Sequence, residues 1–340
     1  MQQRNHRVVV SRHGGPEVLQ LLGEDVPEPG PAEVRIKVLA AGVSAYDLMF
    51  RGSGMLPGTP RPPFTPGEDV VGLVDAMGEE VTGLEVGQMV AGATFVLGVG
   101  GGYTEFVCLP ATELVPVPPG VDPAEAVCLV VNYLTAYSAL IRTAKVRPGE
   151  RVLVHGAAGG VGTALLDLGR AEGLELYGTA SAANHDLVRE LGATPIDYRT
   201  EDFVVRVRAL SGDGVDVVLD PVGGARQLWR SHQALRPRGR LVWFGVAGSK
   251  KSGLRVIPAS LLMRSLLVLL PDGKHAPLPA DLDKDNTWYR ATLTTLLDLL
   301  AAGTIAPVVA ARIPLGEAAR AHEMLQRGGH AGKFVLVTDG

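Results

Sequence analysis

Seven residues, Gly156-Ala157-Ala158-Gly159-Gly160-Val161-Gly162, join the apolar run Arg151 to His155 to a leucine-bearing stretch, and they carry almost no side-chain bulk. A strand that passes into a helix through such a loop leaves bare main-chain amides at the helix N-terminus. Partial positive charge gathers there and a pyrophosphate can rest on it. In the GxGxxG spacing of dinucleotide sites the glycine positions fall on Ala157, Gly159 and Gly162. Gly159 lets the phosphates approach the main chain and Gly162 lets helix and sheet close up, with contacts expected from Ala158, Gly159, Gly160 and Val161. A tight strand-to-helix turn is the plainer account of the same glycines. The flanking strand, the helix with Leu165, Leu166 and Leu168 turned inward, and the repeating units downstream favour the dinucleotide site.

Those units must position the loop. From Arg151 onward RVLVH, LELYGTA, PIDY, VDVVLD and RLVWFG alternate with helical stretches. Such alternation implies crossover connections and a parallel sheet that binds ligands at the carboxyl ends of its strands. Up to about Asp122, short valine-rich runs with Gly and Pro punctuation predict a compact, mostly β domain. Asp122-Pro123 is a cap and first-turn proline for a helix over Val121 to Leu140. The run Ser265 to Leu270 reads as an edge strand through which a twin could extend the sheet into a homodimer. The helix Ala291 to Gly303 and the run Gly332 to Thr338 return to the first domain. The fold class is therefore α/β, a Rossmann doubly wound parallel sheet plus a mostly β domain, divided as 1–125, 126–272 and 273–340.

A chain of 340 residues suggests two domains, and a formal net charge of -4 offers no basic field for nucleic acid or an anionic membrane. With 46% hydrophobic and 20% charged residues it has ample core and no disordered character. The start has no signal-like apolar run, and the stretch Ala259 to Leu270 is interrupted by Arg264. No integral membrane segment is expected. Two cysteines, Cys108 and Cys128, exclude a disulfide framework and a four-cysteine zinc site, and fit a reducing, cytoplasmic setting. His322-Glu323 begins like a zinc-protease signature, but Gln326 stands where the second histidine is needed. An NAD site commonly has an acid at the end of the second strand. In LELYGTASAANH that end has none, and Thr179 and Ser181 are small donors there, which favours NADP(H).

The segments AAGGVG, PFTPGEDVVGLVDAMG, LVVNYLTAY and VDVVLDPVGG resemble the zinc-independent medium-chain dehydrogenase/reductases of the quinone oxidoreductase group, over nearly the whole chain. VNYLTAY, GTASAANH and PIDYRTEDF look most like the branch of the synaptic vesicle membrane protein VAT-1. The resemblance implies a GroES-like catalytic domain, a Rossmann domain and NADPH held in a cleft between them. By position it implies contacts from Thr135 to the nicotinamide amide, from Tyr198 along the adenine, from Phe244 and Gly245 after the fifth strand, and from Lys333. Plain packing is the other reading of Thr135, Tyr198 and Phe244. Relatives place a lysine near the 2′-phosphate where this chain has Asn184, with His185, Arg189 or Arg199 available to compensate.

Ser44 stands where zinc members have their first cysteine, and Gly67-Glu68-Asp69 where they have Gly-His-Glu, so no metal is expected. Without a Lewis acid, the reaction implied is hydride delivery to the β-carbon of a quinone or enone, followed by protonation. The Asn-x-x-Asp of many relatives reads Ser44-Ala45-Tyr46-Asp47 here. Ser44 and Tyr46 are the catalytic candidates, with a packed Tyr46 and water as the acid left open, and Asp47 ordering the loop. Met55 to Pro63 and Gly98 to Gly102 either line the substrate opening or are simple turns. An NADPH-binding interaction protein with little turnover, or a tailoring enzyme without net redox, are the alternatives.

Overall fold

The structure is a computed structural model that describes residues 4–53, 60–94, 101–245, 256–278 and 286–338. Of the two loops expected near a substrate opening, residues 55–59 and 98–100 lie outside the described residues. Two compact units divide the chain: residues 1–134, 283–328 and 333–340 form one, and residues 135–282 and 329–332 the other. The divisions fall at 134/135 and 282/283 rather than 125/126 and 272/273, and residues 329–332 return to the second unit.

In the first unit β1 (Arg4–Val10) pairs antiparallel with β2 (Leu19–Asp25). β3 (Glu33–Val43) buries Val34, Ile36 and Val38 and leaves Arg35 and Lys37 half-exposed, the alternation of a strand with one covered face. It leads through α1 (Ala45–Ser53) to β4 (Asp69–Met77), β5 (Met89–Ala93), β6 (Phe106–Pro110) and β7 (Leu114–Pro116). Helix α2 starts where the sequence predicts: the Asp122 carboxylate accepts the Ala124 and Glu125 amides, with Pro123 in the first turn. It runs Pro123–Ala144, through widened π turns at Leu129–Tyr133 and Ser138–Ala144. Its 22 residues are long and apolar enough to cross a membrane, but 72% of its most apolar window is buried, as in a core helix.

The second unit alternates β8 (Arg151–His155), α3 (Gly160–Ala171), β9 (Glu175–Ala180), α4 (His185–Glu190), β10 (Ala193–Asp197), α5 (Phe203–Ser211), β11 (Val215–Asp220), α6 (Ala225–Ala234) and β12 (Leu235–Trp243). The five strands are parallel in the order β10-β9-β8-β11-β12. Every residue of β11 is buried, because a sheet with helices on both faces selects continuous apolar runs. The order reverses between β8 and β11, the place where such sheets open a crevice for ligands.

One expectation fails here. Ser265 to Val268 is not an edge strand but the end of helix α7 (Val256–Val268), so the strand-to-strand route to a dimer has no strand at this run. The preceding Pro-Ala-Ser-Leu-Leu-Met-Arg supplies helix formers, and an unbroken apolar run lacks the alternation that separates strand from helix. The chain then returns to the first unit through α8 (Asn286–Ala301), β13 (Val309–Pro314), α9 (Ala318–Arg327) and β14 (Lys333–Val337). These strands complete a sheet in the order β13-β14-β3-β4-β5-β7, with β6 also on β3.

Candidate functional site

The glycine-rich loop of the second unit is built as its spacing predicts. Gly156 turns at φ +65°, and Gly159 caps α3 without a side-chain bond. The Gly159 amide donates to Gly156 O at 2.9 Å and the Thr163 amide to Gly159 O at 2.8 Å. The N–H groups of Gly160, Val161 and Gly162 thus form the open first turn of the helix. A Cβ on Gly162 would lie 2.1 Å from Gly156 O, and one on Gly178 would lie 2.7 Å from Ala157 Cβ, so the strand-to-helix closure depends on both glycines. At Gly159 the nearest atom to such a Cβ is Gly156 O, 3.4 Å away, which leaves a shallow cradle beside the turn.

The carboxyl ends of the parallel strands gather most of the expected contacts. Ser181 and Asn184 follow β9, Tyr198 follows β10, and Phe244 and Gly245 follow β12. Tyr198 is 54% exposed under the Arg199 guanidinium, 5.7 Å from its ring centre, and is no core aromatic. Phe244 is half-buried, and its amide donates to Asp220 O at 3.1 Å. The Asn184 amide group reaches His330 O at 3.4 Å, while the buried Nε2 of His185 has no hydrogen-bond partner among the described residues. Arg189 is engaged by Asp186 at 2.7 Å. Thr135 is half-buried on α2.

Two of the residues expected at the cofactor are engaged within the protein. Thr179 points inward rather than to the outer edge: its hydroxyl accepts the Gly156 amide at 3.2 Å and meets His155 Nδ1 at 3.1 Å, so it braces the loop. Lys333 lies in the first unit, 3% exposed, with its ammonium 2.5 Å from Asp69 Oδ2. Gly42 makes room for that ion pair, since a Cβ there would stand 2.1 Å from Lys333 Cε. Burial works against the Lys333 charge, yet the attraction of Asp69 prevails and leaves its pKa raised.

The first unit holds a second polar centre. Ser44 Oγ donates to Glu68 Oε2 at 2.7 Å and accepts the Asp47 amide at 3.2 Å. Asp47 accepts the amides of Ser44 at 2.7 Å and Gly67 at 2.8 Å, and the Tyr103 hydroxyl at 3.1 Å, so it does order this loop. Beyond it His322 Nε2 stands 3.1 Å from the Tyr103 oxygen, and His322 Nδ1 stands 3.0 Å from Arg51 Nη1. A guanidinium only donates, so Nδ1 accepts and the single ring proton is on Nε2. Burial, with Arg51 adjacent, lowers the His322 pKa to about 3 and keeps it neutral. The sequence points to Tyr46, which is 44% exposed with its ring 6.0 Å from that of Phe50; Tyr103 is a second phenol, bonded to Asp47 and His322. The place of Tyr103 in the cluster escapes a reading of the sequence because the contacts that engage it are made across 56 and 219 residues.

Burial pushes Asp47 up to about 6 and Glu68 up to about 7, each also raised by its acidic neighbours. A raised carboxyl binds its proton more tightly in the folded than in the unfolded chain. Its contribution to stability is complete below the unfolded pKa and is lost as pH rises through the folded one. Glu68→Gln is therefore expected to remove about 2 kcal/mol of the stability difference between pH 5 and pH 7.5. Urea melts at the two pH values read this, and parallel losses in variant and parent would refute the assignment.

Among the described residues no group of three or more His, Cys, Asp or Glu is placed to hold a metal ion; Ser44 is bonded to Glu68, and Asp69 is paired with Lys333. Cys108 and Cys128 are free, and burial raises both thiols, to about 11 and about 12.

This pairing of a mostly β unit with a nucleotide-type parallel sheet defines a class, the two-domain dehydrogenases. Residues 30–119 match the alcohol dehydrogenase GroES-like domain, and residues 191–336 match the zinc-binding dehydrogenase domain. A quinone oxidoreductase of Pseudomonas aeruginosa is 36% identical over 97% of this chain and 99% of its own. The VAT-1 homolog of Rattus norvegicus, a synaptic vesicle membrane protein, is 35% identical over 97% of this chain and 83% of its own. The crystal structure of Escherichia coli quinone oxidoreductase complexed with NADPH superposes with a TM-score of 0.85 at 28% identity, covering 98% of this chain and 99% of that one. The chain belongs to the medium-chain dehydrogenase/reductase family, close to its quinone oxidoreductase and VAT-1 members.

Proposed function

We propose that this protein is an NADPH-dependent oxidoreductase that reduces quinones or α,β-unsaturated carbonyls without a metal. The observation that carries the reading is the bare amide turn of Gly160, Val161 and Gly162 behind the Gly159 cradle, in a chain of this family. That turn would hold the pyrophosphate. His185 Nε2, buried at the start of α4 with no hydrogen-bond partner among the described residues, and the absence of an acid between Leu176 and His185 suit a 2′-phosphate, which would offset the loss of lysine at Asn184. When bound, NADPH supplies the hydride for the β-carbon of the acceptor.

The protein's own part is to bind, orient and manage the proton. Ser44 and Glu68 supply that proton. Glu68, protonated up to about pH 7, holds one on its carboxyl. As the acceptor oxygen gains charge, Ser44 Oγ, 2.7 Å away, would turn its own hydroxyl proton to that oxygen and take the Glu68 proton in its place, the hydrogen bond between the two reversing. Asp47 keeps Ser44 in place through the loop amides, and Tyr103 and His322 keep Asp47 in place. A cytoplasmic setting goes with two unpaired thiols.

NADPH absorbance at 340 nm, followed with 9,10-phenanthrenequinone and simple enones, should fall with turnover, while elemental analysis finds no stoichiometric zinc. Tight NADPH binding with no oxidation by any acceptor would replace this reading with that of a binding protein. Stoichiometric zinc would end the metal-free mechanism.

A further inference from the structure

His155, the last residue of β8, is 3% exposed and sits where the strand order reverses. Its Nε2 lies 3.1 Å from Ser231 Oγ, and Ser231 gives its hydroxyl proton to Asp220 Oδ2 at 2.7 Å. Ser231 therefore has only lone pairs to offer the imidazole, so Nε2 donates. In a neutral ring Nδ1 must then accept, and it takes the Thr179 hydroxyl proton at 3.1 Å. Thr179 Oγ1 in turn accepts the Gly156 amide at 3.2 Å. Each donor in the chain points the same way, from the Gly156 N–H to the Asp220 carboxylate.

At the far end Asp220 shapes a second loop. Its Oδ1 accepts the amides of Val222 at 2.8 Å and Gly223 at 3.0 Å, and Gln227 donates to Oδ2 at 3.2 Å. The imidazole also packs edge-on against Phe203, ring centres 4.6 Å apart, with the Arg230 guanidinium 4.8 Å from the Phe203 ring centre. Burial lowers the His155 pKa, against the pull of Asp220, in keeping with the neutral ring that the donor directions require.

We propose that His155 is a positioning residue for the dinucleotide loop, a neutral crosspiece that ties the Gly156 turn to the Asp220 turn and so holds the open amides of α3 in register for a pyrophosphate. The inference rests on the NADPH reading above. Gly156 is the leverage point, since its carbonyl holds the Gly159 amide and crowds Gly162. A slack Gly156 misplaces the whole turn, and small misplacements of a preorganised site are costly.

The test compares His155→Phe, which keeps a ring beside Phe203 but no nitrogen, with Ser231→Ala, a smaller change that carries the test if the first does not fold. Without ligand, hydrogen exchange of the Gly156 amide should quicken about tenfold in either variant. The Kd for NADPH and its KM should rise about tenfold with kcat within about threefold, while adenosine 2′-monophosphate, which lacks the pyrophosphate, binds within about twofold of the parent. Unchanged Gly156 exchange, unchanged NADPH affinity, or equal losses for both ligands would each overturn the proposal. A parent protein that binds no dinucleotide overturns the NADPH reading instead, and is told apart because the deficit is then already present before any substitution.

Discussion

Gly159→Ala is expected to leave the protein folded and to weaken NADPH binding about 100-fold, whereas Gly162→Ala, three residues on, is expected to damage the fold itself. The two glycines look alike in the sequence and differ in what surrounds them. Gly159 has φ -74°, a conformation any residue adopts, and a new Cβ would meet only Gly156 O at 3.4 Å. Alanine costs little there in the free protein, but its methyl occupies the cradle into which the pyrophosphate must settle. At Gly162 the same methyl would stand 2.1 Å from Gly156 O and 2.8 Å from Ala157 C and Cα. These are backbone atoms, so no rotamer change relieves the contact and α3 must lift from the sheet, at about 3 kcal/mol. Melting curves should show Gly162→Ala lower by roughly 5–10 °C and Gly159→Ala within about 2 °C. Fluorescence titration with NADPH should show the reverse emphasis. Equal affinity of Gly159→Ala and parent would remove the loop from the cofactor site.

How far the sequence could be read follows from which interactions are local. The glycine spacing, the Asp122-Pro123 cap and the βα alternation act over a few residues, and each is found where expected. Ser265 to Val268 misled because an apolar run without alternation serves helix and strand alike, and only its helical context decides. Thr179 lies at the strand end that the sequence indicates, but its bonds to Gly156 and His155 join residues 23 and 24 positions away, which periodicity does not reveal. Tyr46 and Tyr103 show the limit for site residues. Tyr46 lies two residues from Ser44 and is 44% exposed, while Tyr103 reaches Asp47 and His322 across 56 and 219 residues. Periodicity carries no information about such pairings. The run Gly67-Glu68-Asp69 did carry a signal, two adjacent acids opening an otherwise apolar strand, because acids at the head of a buried run need partners. Ser44 and Lys333 are those partners.

Lys333→Met is expected to destabilise the protein by about 3–5 kcal/mol, with the double variant Lys333→Met, Asp69→Asn recovering most of the loss. Asp69 is 0% exposed, and its Oδ2 lies 2.5 Å from the Lys333 ammonium, while Oδ1 has no hydrogen-bond partner among the described residues. Removing the ammonium leaves a carboxylate in an interior of low dielectric with nothing to balance it, a far larger penalty than the pair itself contributes. Removing both charges leaves two groups of similar shape and no ion to solvate. The experiment also separates two meanings of this lysine. The family resemblance implies a contact with the cofactor, which predicts a higher Kd for NADPH at nearly unchanged stability. The buried pair predicts the opposite, a large fall in unfolding free energy that is insensitive to salt, because a pair this deep is shielded from screening ions. Unfolding titrations at low and high ionic strength, run beside NADPH titrations on the same variants, decide it. Stability within about 1 kcal/mol of the parent would show that the pair does not hold the first unit's sheet together.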